Sequence, residues 1–375
     1  MLPPPVPSGP PPDVETRPAP EAILPAPTPV EPAAASPDRS ATSMVPEPPA
    51  PGFVPRSDTI ALVLPLQSGL YGRAAEAVKA GFLAAANAAG SAARVQVIGH
   101  GDDGVLPAFA AAADAGVALI VGPLTRDDLK TVLTFSPARP RMLALNQLDD
   151  GSPLPPEAYA LALSVESDAA LLARLARGEG VRTLASLTSD GPLQRRFRAA
   201  FASAWERSGG ATTRDYRFDP NPDVLALLRR ELAARPADAV LLCVPSGDAA
   251  LAKSFLAPGP VYASSQVTDG LPLEMLRDLE GVRYVEIPWL ADPDDPAFAR
   301  LPRNRMGDAV LDRLYALGLD AFAIAELLSS PEPPARIELE GATGHLALAR
   351  GGFFTRDGRI MMIRGGAPVL SSPRP

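Results

Sequence analysis

The 375-residue chain contains one cysteine and two histidines. A single cysteine excludes disulfides within the chain and any zinc site built on thiolates. With only His100 and His345, a multi-histidine metal centre is excluded, and a Ser-His-Asp triad has just two possible bases. Each histidine reads first as a structural or loop residue. Cys243 lies in the apolar run AVLLCV at 239–244, where a thiol behaves as a small buried hydrophobe. No apolar run approaches the roughly 18 residues of a bilayer-spanning helix. The first residues, Met1-Leu2-Pro3-Pro4-Pro5, show neither the basic segment nor the apolar stretch of a secretory signal. Two expectations stay open: a cytosolic protein, or an exported one whose leader precedes Met1.

Lysine is scarce too, with only Lys79, Lys130 and Lys253 among 35 basic residues, a usage that a GC-rich genome explains. The 43 acidic residues bring the net charge to -8, which argues against nucleic acid or an anionic membrane surface as the main partner. Phosphate-binding and nucleophile motifs are missing as well. The first strand-to-helix turn reads LPLQSGLYG at 64–72, with neither GxGxxG nor GxxxxGK[ST], so no nucleotide cofactor is expected. VPSGD at 244–248 is not a GxSxG elbow, and Ser246 reads as a helix N-cap. The acidic run DPDD at 292–295 lacks the glycine and distal glutamate of a calcium loop and reads as a solvated turn.

Proline, in contrast, is abundant at 45 residues, and 19 of these fall within residues 1–56. Proline removes backbone donors, and a segment poor in aromatic and branched residues buries too little surface to offset ordering entropy. Residues 1–57 are therefore expected to form a disordered or polyproline-like arm. About 55 residues at roughly 3.1 Å each reach at most about 170 Å. The remaining 58–370 exceed the size at which one core stops growing, so two lobes are expected.

From residue 59, apolar runs of strand length alternate with helical patterns. Strands are expected at 59–66, 94–99, 118–121, 142–146 and 159–165, and again at 181–187, 212–218, 239–244, 261–265 and 282–290. Helices fall between them, and a long one covers about 305–328. Uniformly apolar strands separated by helices specify parallel sheets covered on both faces. The fold class is thus α/β, with two doubly wound Rossmann-like lobes. Lobe 1 is assigned to about 58–160 plus 283–330, and lobe 2 to about 161–282 plus 331–370. Short strands at 336–339, 345–349, 352–354 and 359–363 suggest a C-terminal β-meander, with Asp357-Gly358 as a tight hairpin turn.

Ligands of open α/β sheets sit at the carboxyl ends of strands, so two such sheets facing one another create a cleft. Its candidate lining residues are Gln67, Ser68, Tyr71, Thr125, Asn146 and Gln147 from the first lobe. Ser189, Ser246, Ser265 and Asp269 come from the second. This hydroxyl- and amide-rich set suits hydrogen bonding to a small polar ligand more than acid–base catalysis, although each residue alone also reads as a cap or turn. The predicted first-lobe rim carries no charge, with Arg126 left to begin a helix.

The order of elements resembles the type I periplasmic-binding-protein fold, most strongly in IALVLPL at 60–66 followed by Gly69, Tyr71-Gly72 and Gly81-Phe82, and again in IVGPL at 120–124. More narrowly, the chain is similar to the LppC/LpoA-type penicillin-binding-protein activators. That resemblance is carried by VYASSQ at 261–266, LEGVRY at 279–284, EIPWL at 286–290, RLYALGLDAF at 313–322 and GATGHL at 341–346. It implies a non-enzymatic outer-membrane lipoprotein, without cofactor or metal, that reaches through the periplasm. Its implied partner is the periplasmic region of a class A penicillin-binding protein, activated for peptidoglycan synthesis. The alternative is a periplasmic solute receptor closing over an amino acid or similar small polar ligand. Two departures from long family members stand out: no helical-repeat domain precedes the two-lobed module, and no lipobox cysteine is visible.

Overall fold

The computed structural model describes residues 55–135, 140–148 and 152–371. Apart from Pro55, Arg56 and Ser57, the expected arm lies outside the described residues.

Strand β1 (Ile60–Leu64) is buried at all five positions, as an uninterrupted apolar strand must be when helices cover both faces of its sheet. It sits inside a parallel sheet of order β2-β1-β3-β4-β5, with β2 (Val95–Gly99), β3 (Leu119–Val121), β4 (Arg141–Ala144) and β5 (Ala158–Ala160). The connecting helices are α1 (Gly72–Ala88), α2 (Val105–Asp114) and α3 (Arg126–Phe135). Successive β1 residues point to opposite faces: Ile60, Leu62 and Leu64 join one apolar cluster, and Ala61 and Val63 join the other.

After β5 the chain crosses to α4 (Val165–Gly178) and builds the second lobe. There β6 (Leu184–Thr188), α5 (Pro192–Arg207), β7 (Arg214–Arg217), α6 (Pro222–Ala234), β8 (Ala239–Cys243), α7 (Ser246–Ser254), β9 (Val261–Ala263) and β10 (Val282–Glu286) follow in turn. The stacked Phe201 and Trp205 rings of α5, 6.3 Å apart, and Tyr262 on β9 anchor one face of this sheet. The chain then passes through α8 (Pro288–Ala291) and α9 (Ala309–Leu328) to β11 (Glu338–Glu340), β12 (His345–Leu348), β13 (Phe354–Asp357), β14 (Arg359–Arg364) and β15 (Ala367–Leu370). Both sheets belong to one compact unit.

Strand membership differs from the sequence expectation in three places. Strand β10, expected mostly in lobe 1, pairs with β9 and β14 inside the seven-stranded sheet β15-β14-β10-β9-β8-β6-β7. Strands β11 to β13 form a separate sheet, and Ile337, Ala342, Leu346 and Phe354 pack into the first-lobe cluster instead of lobe 2. Asp357-Gly358 is not a hairpin turn, because β13 and β14 pair in different sheets. A Cβ on Gly358 would stand 2.8 Å from the Glu286 carbonyl oxygen, so this glycine permits a close crossing between sheets. The hairpin is instead β14–β15, turned by Gly365 and Gly366 at φ +61° and +77°, the pair of positive angles a two-residue turn requires.

Helix α9 packs along α1, with Phe82 meeting Phe322 edge-on at 5.3 Å. Their backbones approach through Gly81 and Gly318. A Cβ on Gly81 would stand 1.9 Å from the Tyr315 carbonyl oxygen, and one on Gly318 2.2 Å from that of Val78. Both obstacles are backbone, so neither can rotate away.

Where the crossings meet, a buried polar array replaces apolar packing. Arg356 on β13 donates to the Thr343 carbonyl (3.0 Å), the Ser164 carbonyl (3.4 Å) and the Asp168 carboxylate at the start of α4. Asp320 on α9 accepts from the Ala342 amide (2.6 Å), the Thr343 amide (2.7 Å) and the Thr343 hydroxyl (2.6 Å). Burial nevertheless pushes the Asp320 carboxyl up to about 6, because loss of hydration outweighs these hydrogen bonds.

Two outcomes are expected. Gly318→Ala should lose about 3 kcal/mol in urea unfolding, through forced separation of α1 and α9, whereas Gly178→Ala, with open space around it, should be near neutral. Asp320→Asn leaves a donor facing amides, so it destabilises. Because the native carboxyl titrates above its unfolded value, its proton-linked stabilisation is present near pH 4 and lost as pH rises through 6. The deficit of the variant should therefore be larger at pH 4.5 than at pH 7.5, and an equal deficit at both would contradict this.

Candidate functional site

In the first sheet the strand order reverses between β1 and β3, and open α/β sheets bind ligands outside such a switch point. A cavity of about 470 Å³ lies there, lined by Tyr71, Leu124, Thr125, Arg126, Asn146 and Leu314 among others. Local chemistry fixes each wall. The Ser68 hydroxyl is buried and accepts the Leu70 (3.3 Å) and Tyr71 (3.1 Å) amides, which sets the entry to α1. Thr125 opens α3 by accepting the Asp128 amide (3.1 Å) and donating to its carboxylate (2.6 Å). Asn146, at the carboxyl end of β4, accepts from Arg126 Nε (3.2 Å) and donates to the Leu124 carbonyl (3.0 Å). Arg126 thus lines the cavity, contrary to the expected uncharged rim: the first turn of α3 turns it back toward Asn146.

The second-lobe candidates are occupied differently. Ser246 is not an N-cap. It stands inside the first turn of α7 after Pro245, and its hydroxyl donates to the Asp269 carbonyl at 2.7 Å. The Ser189 amide bonds the Cys243 carbonyl (3.0 Å), while its own hydroxyl has no hydrogen-bond partner among the described residues. Burial pushes the neighbouring Cys243 thiol up to about 12, so it is no nucleophile at neutral pH. Ser265 starts a short turn over Ser265–Thr268, its carbonyl accepting the Thr268 hydroxyl at 3.3 Å.

Asp269 is held by Arg313, from the first turn of α9. One guanidinium contacts the Asp269 carboxylate at 3.0 and 3.1 Å and the Glu286 carboxylate, at the end of β10, at 2.7 and 3.0 Å. Burial disfavours the Arg313 charge, but two doubly hydrogen-bonded carboxylates outweigh it and drive its pKa upward. A helix packed in the first lobe thereby fastens the end of β10 and the close of the Ser265–Thr268 turn in the second. A parallel bridge runs through Gln147, whose side-chain amide reaches Ser164 Oγ (3.2 Å) and Glu166 (3.3 Å). Arg196 of α5 in turn holds Glu166 at 2.5 and 3.0 Å.

Of the ten sequence candidates, Tyr71, Thr125 and Asn146 share the first-lobe cavity, and Ser246 and Asp269 are joined to each other. Gln147 belongs to a bridge between lobes, Ser68 is a buried turn residue, and Gln67 is exposed beside it with its amide on the His100 carbonyl at 3.0 Å. Arg313, Glu286, Glu166 and Arg196 were missed. Their one sequence signal is charge at the end of an apolar strand or the start of a helix, which solvated caps share. Among the described residues no group of three or more His, Cys, Asp or Glu is placed to hold a metal ion. The cleft's carboxylates are engaged by arginine, an arrangement suited to fixing geometry rather than to moving protons.

The family model described as LppC putative lipoprotein matches residues 54–358. Among curated proteins, the penicillin-binding protein activator LpoA of Edwardsiella ictaluri is 28% identical over 279 residues, covering 63% of this chain and 41% of that protein. The chain thus spans about two fifths of the length of that relative. Among solved structures, the C-domain of Haemophilus influenzae LpoA, described as a regulator of PBP1A, is 25% identical with a TM-score of 0.71, covering 84% of this chain and 100% of that one. A putative branched-chain amino acid ABC transporter from Chromobacterium violaceum is 34% identical with a TM-score of 0.71, covering 81% and 99%. With the family model matching most of its length, the chain belongs to the LppC lipoprotein family.

Proposed function

We propose that the protein is a non-enzymatic regulator of peptidoglycan synthesis, whose two-lobed module binds and activates a class A penicillin-binding protein from an outer-membrane anchorage. The observation that carries this reading is the match along the whole of a C-domain described as a regulator of PBP1A. The cleft is consistent with it. A receptor closes when its ligand bridges two lobes, and here Arg313 makes that bridge from within the chain, between α9 and the second-lobe residues Asp269 and Glu286. The proline-rich composition of 1–57 suits a tether between an anchor and this module.

A solute receptor is the second reading. It is favoured by the first-lobe cavity, where Arg126 and the start of α3 stand beside Tyr71 and Leu124, and by the likeness to the Chromobacterium violaceum protein. Such a ligand would carry an anionic group for Arg126 and an apolar part for Leu124 and Leu314.

The two readings part in one experiment. The full chain, and a chain beginning at Pro55, should both bind the immobilised periplasmic region of a class A synthase and accelerate its glycan polymerisation in solution. A several-degree rise in melting temperature with one amino acid or sugar, together with no synthase binding, would sink the activator reading. For the bridge itself, Arg313→Met leaves the buried Glu286 and half-buried Asp269 carboxylates without their cation and should cost about 3 kcal/mol in urea unfolding. Adding Asp269→Asn and Glu286→Gln should restore much of that. If the triple variant is no more stable than the single one, the bridge is not the source of the loss.

A further inference from the structure

The two large sheets have four edges, and three are protected in the ways that keep edge strands from pairing. Strand β7 carries Arg214, Asp215 and Arg217, and β15 carries Pro368. Strand β5 is covered, its Ala160 amide bonding the Gly352 carbonyl (2.9 Å) and Ala160 bridging to Phe353. Strand β2 has no such protection. Its sequence is VQVIG, without charge or proline, and among the described residues its only strand partner is β1. Val97 is 37% exposed, whereas Leu62 beside it in register is fully buried.

Charge around β2 is confined to its two ends, Arg94 just before the strand and Asp102 and Asp103 in the turn after it. Across 80–101 the only Lys, Arg, Asp or Glu is Arg94, and 104–113, which enters and forms most of α2, has none, in a chain that is 21% charged. Arg94 is itself tied down, to Glu326 at 3.1 Å and to Asp58 at 3.0 Å. The open backbone groups follow from the register. The His100 amide bonds Leu64 of β1 at 3.0 Å, so the period of two turns Gln96 and Ile98 toward β1, and Val95, Val97 and Gly99 outward.

We infer that β2 pairs antiparallel with β2 of a second copy of this chain, about a two-fold axis through Val97. That axis sets Val97 opposite Val97 and Val95 opposite Gly99, so all three outward-facing residues meet a mate that also faces outward. It also explains why the strand itself carries no charge. A two-fold axis places like groups near one another, so charge on such a strip would repel itself, whereas a strip meant for a different charged partner would gain from carrying some. Strand β2 lies at the edge away from β5, where the chain crosses to the second lobe, so this contact leaves the cleft open to other partners. The inference does not depend on the proposed function.

Sedimentation equilibrium of the full chain should show a monomer–dimer equilibrium, the larger species having twice the 39.0 kDa chain mass. Val97→Lys should weaken dimerisation at least tenfold and leave the melting temperature unchanged at concentrations where both chains are monomeric, as befits an exposed position. A cross-link reports the register. Paired residues in the hydrogen-bonded position stand about 5.5 Å apart at Cα, within disulfide range, and the sole native cysteine is buried. Mild oxidation should therefore link Val97→Cys chains far faster than Gln96→Cys chains. A monomer at hundreds of micromolar, a dimer unaffected by Val97→Lys, or equal cross-linking at both positions overturns the proposal. So does a monomer that loses synthase binding on Val97→Lys, since the edge would then take a strand from that partner instead.

Discussion

One guanidinium constrains the two-lobed structure more than any other group. Arg313 is almost withdrawn from solvent, and a charge so placed is tolerable only with partners that neutralise it and fill its hydrogen-bonding fork. Those partners, Asp269 and Glu286, belong to the second lobe, while Arg313 belongs to α9, which is packed against α1 in the first. The position of α9 is fixed in turn by the glycine contacts at 81 and 318, which bring two backbones closer than any side chain would allow. Relative lobe position is thus set by close helix packing at one end of a chain of contacts and by paired charges at the other. Arg356 repeats the device nearby, between Asp168 on α4 and the loop at Thr343. Because a buried pair gains little net stability but costs much when broken, these arrays favour one geometry over its neighbours more than they add to overall stability.

On the proposed function, that distinction would separate this cleft from one built to close on a solute. A receptor leaves polar groups at its strand ends unsatisfied until the ligand arrives, and the ligand supplies the differential affinity for the closed state. Here the Asp269 and Glu286 carboxylates are met by Arg313, Gln147 by Ser164 and Glu166, and Asn146 by Arg126 and the Leu124 carbonyl. The exception is the Ser189 hydroxyl, just past the end of β6, which has no partner among the described residues.

The fold was legible in the sequence because a doubly wound sheet writes itself in repeated apolar strands, and the runs at 60–64, 119–121 and 239–243 have no other stable use. What was not legible shares one cause: it depends on contacts between segments far apart in the chain. Asp357-Gly358 has the local chemistry of a hairpin, and only the assignment of β13 and β14 to different sheets turns it into a crossing. Strand β10 has the composition of a strand from either lobe, and its place follows from pairing with β9 and β14. Thr125 and Asn146 line the first-lobe cavity at positions that strand ends make predictable, whereas Arg126 and Arg313, near helix starts, have the sequence context of ordinary solvated charges. Burial, which decides whether an arginine is decoration or a clamp, is not a local property.

On the proposed function, a ligand-closing architecture would serve a regulator. If lobe movement no longer needs a solute, the residues at the hinge are free to be charged and mutually satisfied, and the two lobes become a single rigid scaffold. A rigid scaffold presents its outer surfaces at fixed separation, so a partner touching both lobes loses less freedom on binding than it would against a hinged pair. On the proposed function, loss of a ligand requirement and gain of a protein-binding surface would be one change, with Arg313 linking the lobes from within the chain.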